Sequence, residues 1–293
     1  MAKRKRPPPH TIPMGGMHSR HSDASPADPR RSPGEAQGGG GPVYWIYGVH
    51  AALAALANPV RRLRRLIMTE EAASGLAQRL PKPGGKLPMA EILDRTAIDR
   101  ALPQGAVHQG IAVLAESLPE PDLDEVLDRL ADAPSAAILL LDQVTDPQNV
   151  GAVLRSAAAF GAAAVVTPRH HAPPMTGALV KAASGAAEHV ALVRVGNLAQ
   201  AIERLKESRF WCVALAGDAE QDLAQVDLAG RVALALGAEG PGLRRLTRER
   251  CDLSARLPTS GPIADINVSN AAAVALYECA RQRTAKTHKG AKK

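Results

Sequence analysis

Asn149 and Arg155 lie six residues apart where Val150–Phe160, an Ala-rich apolar segment, has the pattern of a helix with a buried face. Asn149 and Asp146 are both able to cap that helix. An arginine inside it either packs its stem and carries its head to water or points into a site and holds a phosphate or another oxygen. Further along, Glu239 is the one carboxylate of a glycine-rich turn, Gly237-Ala238-Glu239-Gly240-Pro241-Gly242. Glycines let the backbone approach a ligand that a Cβ would hold away. A turn of this kind after a buried strand is a usual place to hold a nucleotide-like ligand by main-chain groups. It matches neither GxGxxG nor a P-loop, so alone it reads more readily as a tight strand-to-helix connection. Leu257-Pro258 and Ile266-Asn267-Val268-Ser269-Asn270 follow, ahead of a last helical segment that Asn267 could cap.

The elements that must position these residues alternate clearly over 136–283. Ala136–Leu141 is a continuous apolar run, as in a strand buried on both faces. Val150–Phe160 is a helix closed by Gly161, Ala162–Thr167 a strand, and Gly177–Ala187 a helix. Val190–Val195 and Trp211–Ala216 are strands flanking a helix over Leu198–Ser208. Val232–Leu236 is a strand, Leu243–Arg250 a helix, Leu253–Leu257 a short strand, and Asn267–Arg283 the final helix. Such alternation predicts an α/β domain with a mainly parallel sheet, whose ligands gather at the carboxyl ends of the strands. All the motifs above fall there.

A smaller α/β domain is expected over 43–120, beginning at the aromatic run Val43–Tyr47. Its elements are a helix over Ala51–Ala57, a strand over Leu63–Met68 and a helix over Ala72–Leu80. Short helical pieces at Met89–Arg95 and Ile98–Ala101 follow, then a strand entered through His108-Gln109-Gly110. Arg61, Arg62, Arg64 and Arg65 read equally as a phosphate-contacting patch and as a solvated face. Residues 121–135, with five acids and one arginine, read as an acidic linker carrying a short helix over Leu123–Ala131.

The net charge of +7 is uneven: residues 1–42 and 284–293 carry +4 each, which leaves the body at about −1. The first segment, rich in Pro, Gly, Ser and Arg, reads as a disordered basic tail, and the last ten residues as a second basic tail. Such tails favour a polyanion such as RNA. No apolar run reaches the ~18 residues of a membrane span, and prolines rather than an apolar stretch follow the N-terminal Lys3-Arg4-Lys5-Arg6, which argues against a secretory signal. Cys212, Cys251 and Cys279 show no CxxC spacing, so neither zinc nor a disulfide framework is expected, and a reducing cytoplasm is the simplest home. His170-His171 has no third ligand in view; no metal is expected.

Three ordered motifs give the second domain a family resemblance. Residues 141–162, LDQVTDPQNVGAVLRSAAAFGA, 235–252, ALGAEGPGLRRLTRERCD, and 257–278, LPTSGPIADINVSNAAAVALYE, resemble the three motifs of the SpoU/TrmH family of RNA ribose 2′-O-methyltransferases. Lys181–Glu188 resembles the stretch between the first two. The first domain is similar to the ribosomal-protein-like RNA-binding domain of the rRNA-modifying members, through Tyr47-Gly48-Val49-His50-Ala51 and His108-Gln109-Gly110-Ile111.

The resemblance implies a trefoil-knotted catalytic domain, a homodimer, RNA as partner and S-adenosylmethionine as cofactor, its adenosine held by main-chain groups at Gly237, Leu257 and Ile266. It also implies methyl transfer to a ribose 2′-hydroxyl of large-subunit rRNA, with a guanosine the leading target. Arg155 then activates or orients that hydroxyl. Because an arginine is a poor base, stabilising the developing alkoxide or holding the adjacent phosphate is its physically easier role. Asn149, Glu239 and Asn267 match the other polar positions, with Glu239 expected to orient Arg155 or a loop amide. One departure stands out: Asp265 occupies a position where the family usually has Ser. It could pair with Arg155, accept from the substrate hydroxyl or repel phosphate; Ser269 is a weaker site candidate. Two other readings stay open: a tRNA ribose methyltransferase, and a non-catalytic RNA-binding or ribosome-assembly protein.

Overall fold

The computed structural model describes residues 41–79, 87–262 and 265–290, with side chains through 286. The N-terminal basic tail, except for its last two residues, and the loop expected at Pro81–Gly85 lie outside the described residues.

The first layer comprises β1 (Val43–Tyr47), α1 (Val49–Ala57), β2 (Leu63–Met68), α2 (Glu70–Leu76), β3 (Ala90–Ile92), α3 (Arg95–Ala101) and β4 (Ile111–Glu116). Its sheet runs β1-β4-β2-β3, with β4 antiparallel to β1 and β2, and β3 parallel to β2. The helical piece expected at Met89–Arg95 is instead the edge strand β3. Three residues are too few for a helical period to be told from a strand, and Glu91 is drawn to the sheet by a two-point ion pair from Arg65, with both contacts at 2.7 Å. Helix α3 starts after Asp94, whose carboxylate accepts from Ala97 N.

The second layer comprises α4 (Leu123–Arg129), β5 (Ala136–Asp142), α5 (Pro147–Ala159), β6 (Ala164–Pro168), α6 (Gly177–Ala183), β7 (Ala191–Val195), α7 (Leu198–Glu207), β8 (Trp211–Leu215), β9 (Gln221–Asp222), β10 (Arg231–Gly237), α8 (Arg245–Arg250), β11 (Leu253–Arg256) and α9 (Val268–Gly290). Seven strands order as β7-β6-β5-β10-β8-β11-β9, and every pairing is parallel. Strand β9, only two residues long, carries no sequence period and is absent from the expectations above.

Period-2 alternation divides each central strand between two cores. On β5, Ala137, Leu139 and Leu141 join one apolar cluster, while Ala136, Ile138 and Leu140 join the other. On β10, Val232, Leu234 and Leu236 oppose Ala233 and Ala235 in the same way. The first cluster takes in α5, α6 and α9; the second takes in α4 and α7, including the buried Leu123, Val126 and Leu127 of α4.

Helix α5 begins at Asp146, which accepts from Gln148 N at 2.9 Å, and continues with Pro147 in its first turn. It packs closely on α6 because residue 151 is glycine: a Cβ there would stand 2.5 Å from Ala182 Cβ and 2.7 Å from Leu179 O. The helix expected over Gly177–Ala187 is split. Ser184 (φ 52°) and Gly185 (φ 94°) take left-handed conformations that end α6, and a 3₁₀ turn follows at Ala186–Glu188. The last helix runs past the expected Arg283 to Gly290, since nothing between them breaks a helix.

The two layers share one core. Ile46, Ala51, Ala55 and Ala115 of the first belong to the same cluster as Leu179, Val180 and Ala186 of the second. The arginine cluster is not a uniform solvated face. Arg61 is buried and bonds Glu188, Arg64 pairs with Glu116, and Arg65 pairs with Glu91; the side chains of Arg62, 3.8 Å from Glu116, and of Arg64 stay largely exposed.

Candidate active site

The carboxyl ends of β8, β10 and β11 and the start of α9 enclose a cleft of about 600 Å³, a size suited to a nucleoside-sized ligand. Its walls are Leu215–Asp218 after β8, the turn Gly237–Leu243 after β10, Leu257 after β11, Asp265–Val268 and Ala271 at α9, and Arg248. Gly237, Leu257 and Ile266, the three residues expected to bind through their main chain, all line this cleft.

The turn folds back on its own strand. A Cβ on Gly237 would lie 2.0 Å from the carbonyl carbon of Gly242 and 2.2 Å from its oxygen, so only glycine fits. Ala238 and Gly242 form an antiparallel bridge, with Gly242 N donating to Ala238 O at 2.9 Å.

Beside the cleft, three side chains from three distant motifs close on one another. Asn267 Nδ2 donates to Glu239 Oε1 at 2.5 Å and to Asn149 Oδ1 at 3.0 Å. Asn149 Nδ2 donates to the same Glu239 oxygen at 3.3 Å. Asn267 also caps α9, since its Oδ1 accepts from Ser269 N at 2.9 Å and from the Ser269 hydroxyl at 2.5 Å. The two ends of Asn267 therefore do different work: its oxygen caps α9, and its amide nitrogen joins Glu239 to Asn149. Asn149 is free of capping duty because Asp146 takes it.

Arg155 is not part of this cluster. Six residues advance a helix by about one and two-thirds turns, which carries Arg155 to another side of α5 from Asn149. The buried face of α5 is Val150, Val153, Leu154 and Ala157, and Arg155 is exposed, with no ion pair or hydrogen bond among the described residues. Glu239 is thus oriented within the chain by two asparagine amides rather than by Arg155. Asp265 is exposed, lines the cleft and has no pairing with Arg155 or any other described residue.

Sequence reading missed two charged pairs here. Asp142, almost fully buried at the end of β5, accepts from Arg244 N at 3.1 Å and from Arg244 Nε at 2.7 Å. An acid closing an otherwise unbroken apolar strand was the available signal. Arg248 Nη1 meets Asp218 at 2.8 Å on the cleft wall; no spacing in the sequence connects them. His170 and His171 are exposed, and no described group of His, Cys, Asp or Glu is arranged to hold a metal ion. Burial raises the pKa of all three cysteines, Cys279 to about 11, so none is a thiolate near neutral pH.

The SpoU rRNA Methylase family model matches residues 136–277. The 23S rRNA (guanosine-2'-O-)-methyltransferase RlmB of Vibrio vulnificus (strain CMCP6) is 42% identical over 248 residues, covering 82% of this chain and 98% of that protein. The chain belongs to the SpoU rRNA methylase family. The SpoU match runs from the first residue of β5 into α9, so it contains the cleft and the whole Asn149–Glu239–Asn267 cluster. Among solved structures, an RNA 2'-O ribose methyltransferase superposes with a TM-score of 0.67 at 27% identity, over 83% of this chain and 89% of that one. The SpoU methyltransferase AviRb from Streptomyces viridochromogenes, in complex with the cofactor AdoMet, gives a TM-score of 0.68 at 21% identity, over 83% and 91%, and shares the fold. Among the described residues, no helix is long and apolar enough to cross a membrane.

Proposed function

We propose that this chain transfers a methyl group from S-adenosylmethionine to the ribose 2′-hydroxyl of a guanosine in 23S rRNA. The observation that carries the reading is the Asn149–Glu239–Asn267 cluster, assembled from three separated motifs beside a cleft walled largely by backbone. The relative from Vibrio vulnificus, matched over 98% of its length, bears the name of that activity and supports rRNA over tRNA as substrate. Retention of the cluster and the glycine turn weighs against a non-catalytic RNA-binding protein.

When bound, the cofactor supplies an electrophilic methyl on a sulfonium. Gly237, Leu257 and Ile266 would hold its adenosine through their main chain, and the cleft's volume and glycine-tight turn suit a nucleoside. Glu239, fixed by two amides, orients the turn. To accept that methyl, the 2′-hydroxyl would have to give up its proton. Asp265, on the cleft wall and unpaired among the described residues, accepts it. Arg155 stabilises the developing alkoxide or the neighbouring phosphate.

Because Arg155 faces away from its own cluster, this reading places it in the site of a second copy of the chain. Exposed Val274 and Tyr277 on α9, with Phe160 edge-on to Tyr277 at 6.1 Å, give the α5–α9 face apolar surface for a homodimer. The final segment, entering after β11 and passing the turn of β10, forms the trefoil knot of that domain. The layer over 43–120 is the rRNA-binding domain, 121–135 joins it to the catalytic layer with α4 packed into that layer's core, and the enzyme works in the cytoplasm with its basic tails on RNA.

The test is methyl transfer from labelled S-adenosylmethionine to protein-free 23S rRNA and to bulk tRNA, with wild type and Arg155→Ala, followed by digestion to nucleosides. A labelled 2′-O-methylguanosine in rRNA alone, lost in the variant, is the expected result. Label in tRNA alone would overturn the substrate assignment, and cofactor binding without transfer to either would overturn the enzymatic one.

A further inference from the structure

The glycine turn is held at three places by three different means. Its entry, Gly237, is the last paired residue of β10 and stands opposite Asp142 in the parallel register. Its tip, Glu239, is held by Asn149 and Asn267. Its exit is held from below: the Asp142 carboxylate, 1% exposed, accepts the backbone N–H of Arg244 on one oxygen and its Nε on the other. Arg244 is the residue from which α8 departs, and no side chain caps that helix.

We propose that Asp142 and Arg244 are positioning residues that hold the turn in its cofactor-binding shape. The proposal rests on the reading of the cleft as the S-adenosylmethionine site. Neither residue needs to touch the cofactor, and Asp142 does not line the cleft. The carboxylate is buried beneath the turn, where a lone charge is costly and a two-point partner fixes direction as well as distance. With the exit released, the turn samples several shapes, and the cofactor must select the competent one; its affinity falls by the fraction of time that shape is lost. The chemistry of the bound state is untouched, because neither Asp142 nor Arg244 lines the cleft.

The pair is asymmetric, which makes the test clean. Arg244's side chain is about half exposed while Asp142's is buried, so removing the arginine admits water to the carboxylate and leaves the core intact. The measurements are the Kd for S-adenosylmethionine by calorimetry on the full chain, kcat, and KM for each substrate. For Arg244→Ala we expect Kd to rise about tenfold, kcat at saturating cofactor to stay within about twofold, and KM for rRNA to hold. Arg244→Lys, which restores charge without the fork, recovers part of the loss. Asp142→Asn, which keeps an acceptor for the Arg244 amide, shifts Kd in the same direction by less.

A folded Arg244→Ala with wild-type Kd overturns the proposal, as does a variant in which kcat and both KM values change together. Ala216→Trp separates this from the reading of the cleft. It fills the cleft from the β8 side and should abolish cofactor binding; if it binds cofactor normally, the cleft assignment itself falls.

Discussion

Arg61 and Glu188, 127 residues apart, form an ion pair with both side chains wholly buried. Arg61 Nε donates to Glu188 at 3.1 Å and a second guanidinium nitrogen reaches the other carboxylate oxygen, while Asn58 Nδ2 donates to Glu188 at 2.7 Å. Arg61 Nη1 also donates to Glu116 O at 2.8 Å and Tyr44 Oη at 3.1 Å. Burial is the largest single influence and lowers the arginine's pKa, but the hydrogen bonds and charges of Glu188 and Tyr44 together outweigh it and the pKa is raised, so the charge persists. The pair ties the segment between α1 and β2 to the 3₁₀ turn after α6, and so links the two layers.

Removing one partner leaves the other charged and dry. Glu188→Leu is expected to cost about 3–5 kcal/mol, and Arg61→Met/Glu188→Leu together much less than the sum of the two single variants. Urea unfolding of the four proteins of that cycle checks it; additive losses would mean that the pair carries no coupling.

Asn267 serves both a cap and the site, so its variants should separate the two. Asn267→Ala loses about 1 kcal/mol of stability through the cap and about 10²-fold in kcat through the release of Glu239. Asn267→Asp keeps the cap but sets a second carboxylate against Glu239. It should retain wild-type stability within ~1 kcal/mol while losing activity to a similar degree. Thermal unfolding and initial rates on the same preparations provide the comparison.

Asp265 is the carboxylate this chain has in place of the usual serine. If it takes the proton, Asp265→Asn lowers kcat by about 10²-fold with the Kd for S-adenosylmethionine little changed. A variant that loses cofactor affinity but keeps kcat would assign Asp265 to binding instead.

Arg155 faces outward from its own chain, and the predicted homodimer brings it to the partner's site. Arg155→Ala and Asn267→Ala homodimers, each inactive, should regain activity when unfolded together and refolded as a mixture, because some mixed dimers carry one intact site. Mixtures that stay inactive would place Arg155 in the site of its own chain.

Much of the second layer was legible from sequence because its signals are local. An apolar run such as Ala136–Leu141 has to be a strand covered on both faces, and Val150–Ala159 repeats at helical spacing, so the alternation and the parallel sheet follow from burial alone. The glycine turn and Asn267 could be expected together at one edge of the sheet, where they line the cleft, for the same reason: each motif sits where a strand ends or a helix begins. What the sequence could not contain is which of these ends meet. Only the register of β10 between β5 and β8 brings Glu239 to Asn149 and Asn267, and Gly237 to Asp142. Arg155, singled out for standing in an apolar helix, faces outward because helical phase rather than proximity in sequence decides its side. The arginines after Asn58-Pro59 read as one basic cluster, yet Arg61, Arg64 and Arg65 take different acids from distant segments, since each partner is chosen in space. Composition and period determined the elements of this protein; the pairing of its charges and the closing of its site were decided by tertiary contact, where burial leaves a charge few partners.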